Sequence, residues 1–296
     1  MNFRLFSIVY GDLFLDLFEH ACVRSLCWPI NKAGLSGAIS WSVWTRASDV
    51  ERVKKAVGML GLEVEIHAEI AGGAASDPRL AGAVLLKALM FEMMRSSDER
   101  SAFFFAAPDI VFGDGSIPSM IEIAVPARIC VSVPVMRVVK EGFLDALGTD
   151  PVGNAELAKL SFERMHKSWI DAEATLAKTN SWSSGVSWKK IGTGLYAITH
   201  LLPSPTFVHP TPDDVQFFRS RPKFGGWDHW WPKRLVAQER QRVIGSSDAA
   251  FMAELTDRDS NCPALTDADA DDPSRYFSTI GHHAVNRNLV AIWRTG

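Results

Sequence analysis

The segment AFFFAAPDIVFGDGSIPSM, residues 102 to 120, brings chemistry-bearing residues together at telling spacing. An apolar run ends at Pro108-Asp109, a second carboxylate (Asp114) follows between two glycines, and Ser116 opens a helical pattern. Carboxylates at the end of a strand can hold a divalent cation, because magnesium and manganese prefer hard oxygen ligands. Glycines beside them let backbone approach a ligand closely. The same residues also make turns and cap helices. For Asp109 the two readings stand level, and for Asp114 the turn leads.

A second constellation is GGWDHWWP, residues 225 to 232. Sugars present apolar C–H faces and hydroxyl edges, so tryptophans beside a carboxylate suit an acceptor site in which Asp228 acts as base. The alternative is a tryptophan-anchored loop on the core. His200 and His209 flank the proline-rich LLPSPTFVHP. A neutral imidazole ligates metals and carries protons near pH 7, although a histidine beside proline is more often part of a turn. The acidic run Asp267 to Asp272 lacks the glycine and terminal glutamate of an EF-hand. There is no GxSxG elbow, P-loop, HExxH or GxGxxG after the first strand, so common hydrolases, NTPases, zincins and dinucleotide oxidoreductases find no support.

The elements that must position these residues are legible from periodicity. Phe3 to Tyr10 reads as a buried strand ended by Gly11-Asp12, and Leu13 to Leu26 as a helix. Gly37 to Thr45 alternates as a second strand, after which Ser48 or Asp49 would cap a helix over Val50 to Leu60. Leu62 to Ile70 gives a third strand, and Pro78 to Arg95 a long helix with proline at its first position. Ala102 to Ala107 is a short strand, Ser116 to Ala124 a helix, and Arg128 to Val139 a further strand in which Pro134 forbids an unbroken central ladder.

Such alternation predicts an α/β fold, a Rossmann-like and mostly parallel sheet flanked by helices. Ligands gather beyond the carboxyl ends of such strands, so Tyr10-Gly11-Asp12, Thr45-Arg46 and Pro108-Asp109 should converge on one crevice. The second half changes character. A helix over Ala155 to Leu176 and short strands at Gly194 to Leu201 and Gln241 to Ile244 lie among glycine, proline, serine and tryptophan, a loop-rich C-terminal elaboration. The division expected is residues 1–147 as a ligand-binding α/β region and 148–296 as a sheet-completing region of the same domain.

Composition bounds the function. With 296 residues, 47% hydrophobic, 22% charged and a net charge of -3, the chain has the balance of a globular protein. It lacks the dense basic surface of an extended nucleic-acid footprint. No stretch approaches the roughly 20 apolar residues of a membrane span, the apolar start is interrupted by Arg4, and the four cysteines have no metal or disulfide spacing. These features lead to the expectation of a cytoplasmic protein with reduced thiols.

The order FSIVYGD, ISWSVWT, a long helix bearing Lys87, then FFFAAPDIVFGDGSIPSM resembles nucleotide-sugar-dependent glycosyltransferases of the A-type fold. The resemblance implies that Tyr10, Asp12 and Thr45 face the nucleoside of a nucleotide-sugar donor. By the same resemblance Asp109 serves the diphosphate through Mn2+ or Mg2+, with His200 or His209 near that metal, residues 1–147 form the nucleotide-sugar-binding region and residues 148–296 bind the acceptor. The family's acidic motif is two Asp separated by one residue, whereas this chain has Pro108-Asp109-Ile110-Val111. Basic side chains such as Lys87 or Arg137 could then neutralise the diphosphate instead. A nucleotidyltransferase on a similar sheet, or a nucleotide-sugar-binding protein without catalysis, are the alternatives.

Overall fold

The computed structural model describes residues 2–70, 78–173, 186–200, 205–220, 231–260 and 290–295. At its centre is β1 (Phe3–Ile8), every residue of which is buried. It pairs in parallel with β2 (Ala38–Trp44), to which β3 (Val64–His67) adds, and on its other side with β4 (Ala102–Phe105). Alternation along these strands serves two cores. Phe3, Leu5, Trp41, Val43 and Phe104 pack with Phe18, Val53 and Ile117 on one face. Phe6, Ile8, Trp44 and Phe103 pack with Leu89, Met93 and Phe218 on the other. Strands buried on both faces are the signature of a sheet covered by two helical layers.

After β4 the chain forms β5 (Ile110–Phe112), β6 (Cys130–Ser132) and β7 (Val135–Val139), and its second half adds β8 (Val186–Gly192), β9 (Leu195–His200), β10 (Phe207–Val208), β11 (Gln241–Val243), β12 (Met252–Thr256) and β13 (Val290–Arg294). The main sheet runs β11-β6-β10-β4-β1-β2-β3. Its ladders are parallel except those of β10, which lies antiparallel between β4 and β6. Two small sheets, β5-β12-β7 and β13-β9-β8, complete the described fold. The mostly parallel α/β sheet expected from the sequence is therefore present.

Several local expectations change. The single strand over 128–139 divides at Val133-Pro134, with β6 in the main sheet and β7 in a small one. Pro134 offers no N–H to a ladder, and the chain crosses between sheets there. The helix expected over 155–176 stops at Glu163 and resumes as Lys167–Ile170, where the His166 ring accepts the Ser168 N–H at 3.2 Å as an N-cap. Asp49 precedes the helix Val50–Val57 without capping it through its side chain, because that carboxylate is engaged elsewhere.

The GDGS stretch is a structural junction. Asp114 Oδ1 accepts the Asn31 N–H at 2.8 Å in the first turn of the helix Pro29–Gly34, and does not cap the helix that begins at Ser116. Asn31 answers by accepting from Gly115 N at 3.0 Å and Ile117 N at 3.1 Å, at the start of the helix Ser116–Ala127. Ser116 Oγ donates to Asn154 Oδ1 at 2.7 Å and accepts the Phe251 N–H at 3.0 Å, joining segments far apart in sequence. Gly113 lies so close to Asn154 that an added Cβ would stand 2.3 Å from Oδ1 and 2.9 Å from the Asn154 Cα.

Among the described residues, no helix is long and apolar enough to cross a membrane. From the junction, Gly113→Ala is expected to destabilise the fold by about 2 kcal/mol or more, since overpacking costs roughly 1–3 kcal/mol and backbone cannot yield as a side-chain tip does. Urea unfolding checks this; an unchanged midpoint would contradict the packing described.

Candidate active site at the carboxyl edge of the main sheet

The chain steps from β1 to β2 and β3 on one side, then returns to β4 on the other. Loops leaving β1 and β4 therefore turn to opposite faces of the sheet, and such a reversal of strand order is where ligands of open α/β sheets are expected to bind. β1 leads into Tyr10-Gly11-Asp12, β2 into Thr45-Arg46, and β4 into Ala106 to Asp109. Beneath them Ser7 locks the three strands. Its hydroxyl donates to the Ala106 carbonyl at 2.6 Å and accepts from the Trp41 indole at 3.0 Å.

The loops after β1 and β2 are clamped by Asp49. Its carboxylate accepts the Gly11 N–H at 3.1 Å, Arg46 Nε at 2.8 Å and the Ser48 hydroxyl at 2.8 Å. Burial would raise its pKa, but these hydrogen bonds outweigh that effect and hold it below the usual carboxylate range. Gly11 has φ 83°, a left-handed conformation that favours glycine. Half-buried Tyr10 has a phenol pKa raised by desolvation and partly restored by Arg46, which also faces exposed Asp12 electrostatically. Thr45 is fully buried, its backbone bonded to His67 and Ile70, and its hydroxyl has no hydrogen-bond partner among the described residues.

Asp109 belongs to a second cluster, at the start of β5. Its carbonyl accepts the Leu255 N–H at 2.8 Å. Glu254 on β12 pairs with Arg137 on β7 at 3.0 Å, the two residues standing opposite each other in register. The Asp109 carboxyl is pushed up to about 7, first by burial and then by the Glu254 carboxylate, with Arg137 opposing. Cys22 feels the same carboxylate. Its thiol is raised well above its ordinary value by burial and then by Asp109, so the helical run 12–26 passes beside this cluster. An acid that titrates near neutrality at the mouth of a sheet can exchange a proton at physiological pH.

The remaining expected site residues are more scattered. Lys87 stands 5.5 Å above the Trp44 ring, at the end of β2, and forms an exposed ion pair with Glu69. Arg137 is engaged with Glu254. His200 ends β9 in a small sheet, with its side chain outside the described residues, as is all of Asp228. Trp231 is fully buried, donates to Asp214 at 2.9 Å and meets Phe218 edge-to-face, so it anchors the core.

His209 lies at the other edge of the sheet. β10 is antiparallel to β4, with Phe207 opposite Phe104 and Val208 opposite Phe103, which carries His209 toward the amino end of β4. There its carbonyl accepts from Arg240 at 3.0 Å. A shared cation between His209 and Asp109 does not fit this geometry. Among the described residues no three His, Cys, Asp or Glu side chains gather as a metal-ligand group. The described donor set thus does not fit a resident divalent ion, and no chemical step below is assigned to one.

Sequence reasoning did not find the Asp49 clamp or the role of Glu254. Asp49 looks like a helix cap in sequence, and Glu254 lies in an ordinary strand pattern (FMAELT) whose β7 partner is 117 positions away.

The raised Asp109 pKa has a consequence for stability. An acid with a folded pKa near 7 and an unfolded value near 3.8 supports folding below the lower value and loses that support as pH climbs to the upper one. Asp109→Asn is therefore expected to gain stability relative to the wild type as pH rises from about 4 to 8. Parallel urea midpoints across that range would contradict a half-buried, proton-retaining Asp109.

No family model matches the chain, and no curated protein matches it. Among solved structures, the chain is similar to S. aureus TarS at 12% identity over 47% of this chain and 22% of that one, with a TM-score of 0.30. The chain spans about a fifth of the length of that protein.

Proposed function

We propose that the chain is a glycosyltransferase that moves a sugar from a nucleotide diphosphate donor to an acceptor. The observation that carries this reading is the reversal of strand order between β1 and β4. In this reading Tyr10-Gly11-Asp12 and Ala106 to Asp109 flank one crevice, and the Asp49 carboxylate that holds Gly11 N–H and Arg46 Nε keeps Arg46 beside the β1 loop. In this reading Tyr10, Asp12 and the buried Thr45 hydroxyl receive the nucleoside, and Arg46, with Lys87 nearby, supplies positive charge toward the phosphates. Asp109 serves the leaving diphosphate. With a carboxyl at about 7, it can donate a hydrogen bond or proton as negative charge develops there. Asp228 is assigned the acceptor-activating base.

Transfer of this kind needs positioning and charge compensation more than covalent chemistry. A crevice closed below by Ser7 and braced by Asp49 is suited to that task, because its loops are held before the donor arrives.

A thermal-shift panel of uridine and guanosine diphosphate sugars, each with and without manganese, tests the reading. A ligand at 100 times its Kd stabilises by about 2.7 kcal/mol, so the matching donor should raise the unfolding temperature by several degrees. Arg46→Met and Thr45→Val should each weaken the shift about tenfold in apparent affinity. Incubation should then release an intact nucleoside diphosphate. Release of pyrophosphate would indicate nucleotidyl transfer, binding without turnover would indicate a binding protein, and no shift with any donor would overturn the reading.

A further inference from the structure

The helix Pro78–Asp98 lies over one face of β2 and β3, and it carries a carboxyl for which the site has no task. Ser42 and Trp44 alternate onto that face of β2, and Glu65 and His67 stand opposite them on β3. The helix meets these residues in order. Lys87 stands 5.5 Å from the Trp44 ring centroid, and Phe91 meets the Trp44 and His67 rings edge-on at 5.7 and 5.0 Å. Glu92 accepts the Ser42 hydroxyl, and Arg95 holds Glu65. From Lys87 to Glu92 the helix rises about 7.5 Å, which matches the roughly 6.6 Å of strand from Trp44 back to Ser42.

Glu92 and Ser42 are both fully buried, and the second Glu92 oxygen, Oε2, has no hydrogen-bond partner among the described residues. The cations near it are already committed. Arg95 donates to Glu65 at 3.0 Å and to Glu99 at 3.2 Å, while Arg4 on β1 pairs with Glu99 and donates to Ser101 at 3.3 Å. Two guanidiniums thus face two carboxylates, and a charge on Glu92 would be left over. An unbalanced buried charge costs far more than a neutral carboxyl with one unmet hydrogen bond. Burial raises the Glu92 carboxyl above its ordinary value, with Ser42, Arg95 and Arg4 opposing and Glu65 adding to the effect. The other charges around the helix have separate partners or neighbours. Lys87 pairs with Glu69, the His67 imidazole stacks on Trp44 and is lowered by burial, and Asp213 and Arg219 of the helix Pro212–Ser220 border Met94 and Asp98.

We propose that Glu92 is a positioning residue: in its neutral form it bonds Ser42 and fixes the register of the helix over β2, which keeps Lys87 at Trp44 on the carboxyl end of that strand, and ionisation releases that register. The proposal rests on the sugar-transfer reading only for the ligand that Lys87 serves. A carboxyl raised in the folded state supports folding below its unfolded value near 4.5 and loses that support as pH climbs to the raised value.

Hydrogen–deuterium exchange of the full chain from about pH 4 to 9, corrected for intrinsic rates, tests this in the wild type, Glu92→Gln and Ser42→Ala. Glutamine keeps an acceptor for Ser42 and cannot ionise. The ratio of Glu92→Gln to wild-type protection over residues 86–98 is expected to rise about tenfold across that range, with no such rise over the helix Ser116–Ala127. Ser42→Ala should lower protection over 86–98 even at the acid end. With a bound donor such as UDP-glucose, wild-type affinity should fall about threefold relative to Glu92→Gln as pH rises. A flat ratio, an equal rise over Ser116–Ala127, unchanged protection in Ser42→Ala, or the same pH dependence of donor affinity in both chains would overturn the proposal. Failure of every donor to bind would instead overturn the sugar-transfer reading, and the exchange ratio would still decide this one.

Discussion

The two-sided parallel pairing of β1 is the constraint on which the molecule depends. Leu5 stands opposite Trp41 on one neighbour and Phe104 on the other, so a slip in either ladder would turn the apolar set of that strand to the wrong face. Ser7 adds a polar check on the same register, since its hydroxyl reaches Trp41 and Ala106 at once only when all three strands are aligned. The alignment fixes where the strands end. It thereby fixes where the loops after β1, β2 and β4 begin.

Around that frame the site divides into a rigid polar clamp and a titratable cluster. Asp49 is strongly hydrogen-bonded and stays ionised, which suits a residue that holds two loops and Arg46 in place. Asp109 is desolvated beside Glu254 and keeps its proton to near neutrality. Two carboxylates near one sheet edge are driven apart in pKa by their partners, a pattern expected where acid and anchor have separate tasks.

The sequence was most readable where periodicity alone decides structure. β1 to β4 and the helices between them follow from apolar runs and their breakers, and Pro134 marked in advance the point at which one apparent strand divides. Less readable were features decided by distant partners. β10 has two residues and lies between β4 and β6 only because Phe207 and Val208 complete ladders there. Its antiparallel direction carries His209 away from Asp109, which nothing in LLPSPTFVHP announces. The glycines around Asp114 suggested ligand approach. Gly113 instead makes room for Asn154, and Asp114 bonds the Asn31 N–H.

The central claim is that the loops after β1, β2 and β4 form one receptor for a pyrophosphate-linked ligand. Hydrogen–deuterium exchange with saturating UDP-glucose or GDP-mannose tests it most directly. Concerted slowing over residues 9–12, 45–49 and 106–110 is expected with the bound donor. Slowing confined to one of these loops, or found only on other surfaces, would contradict it.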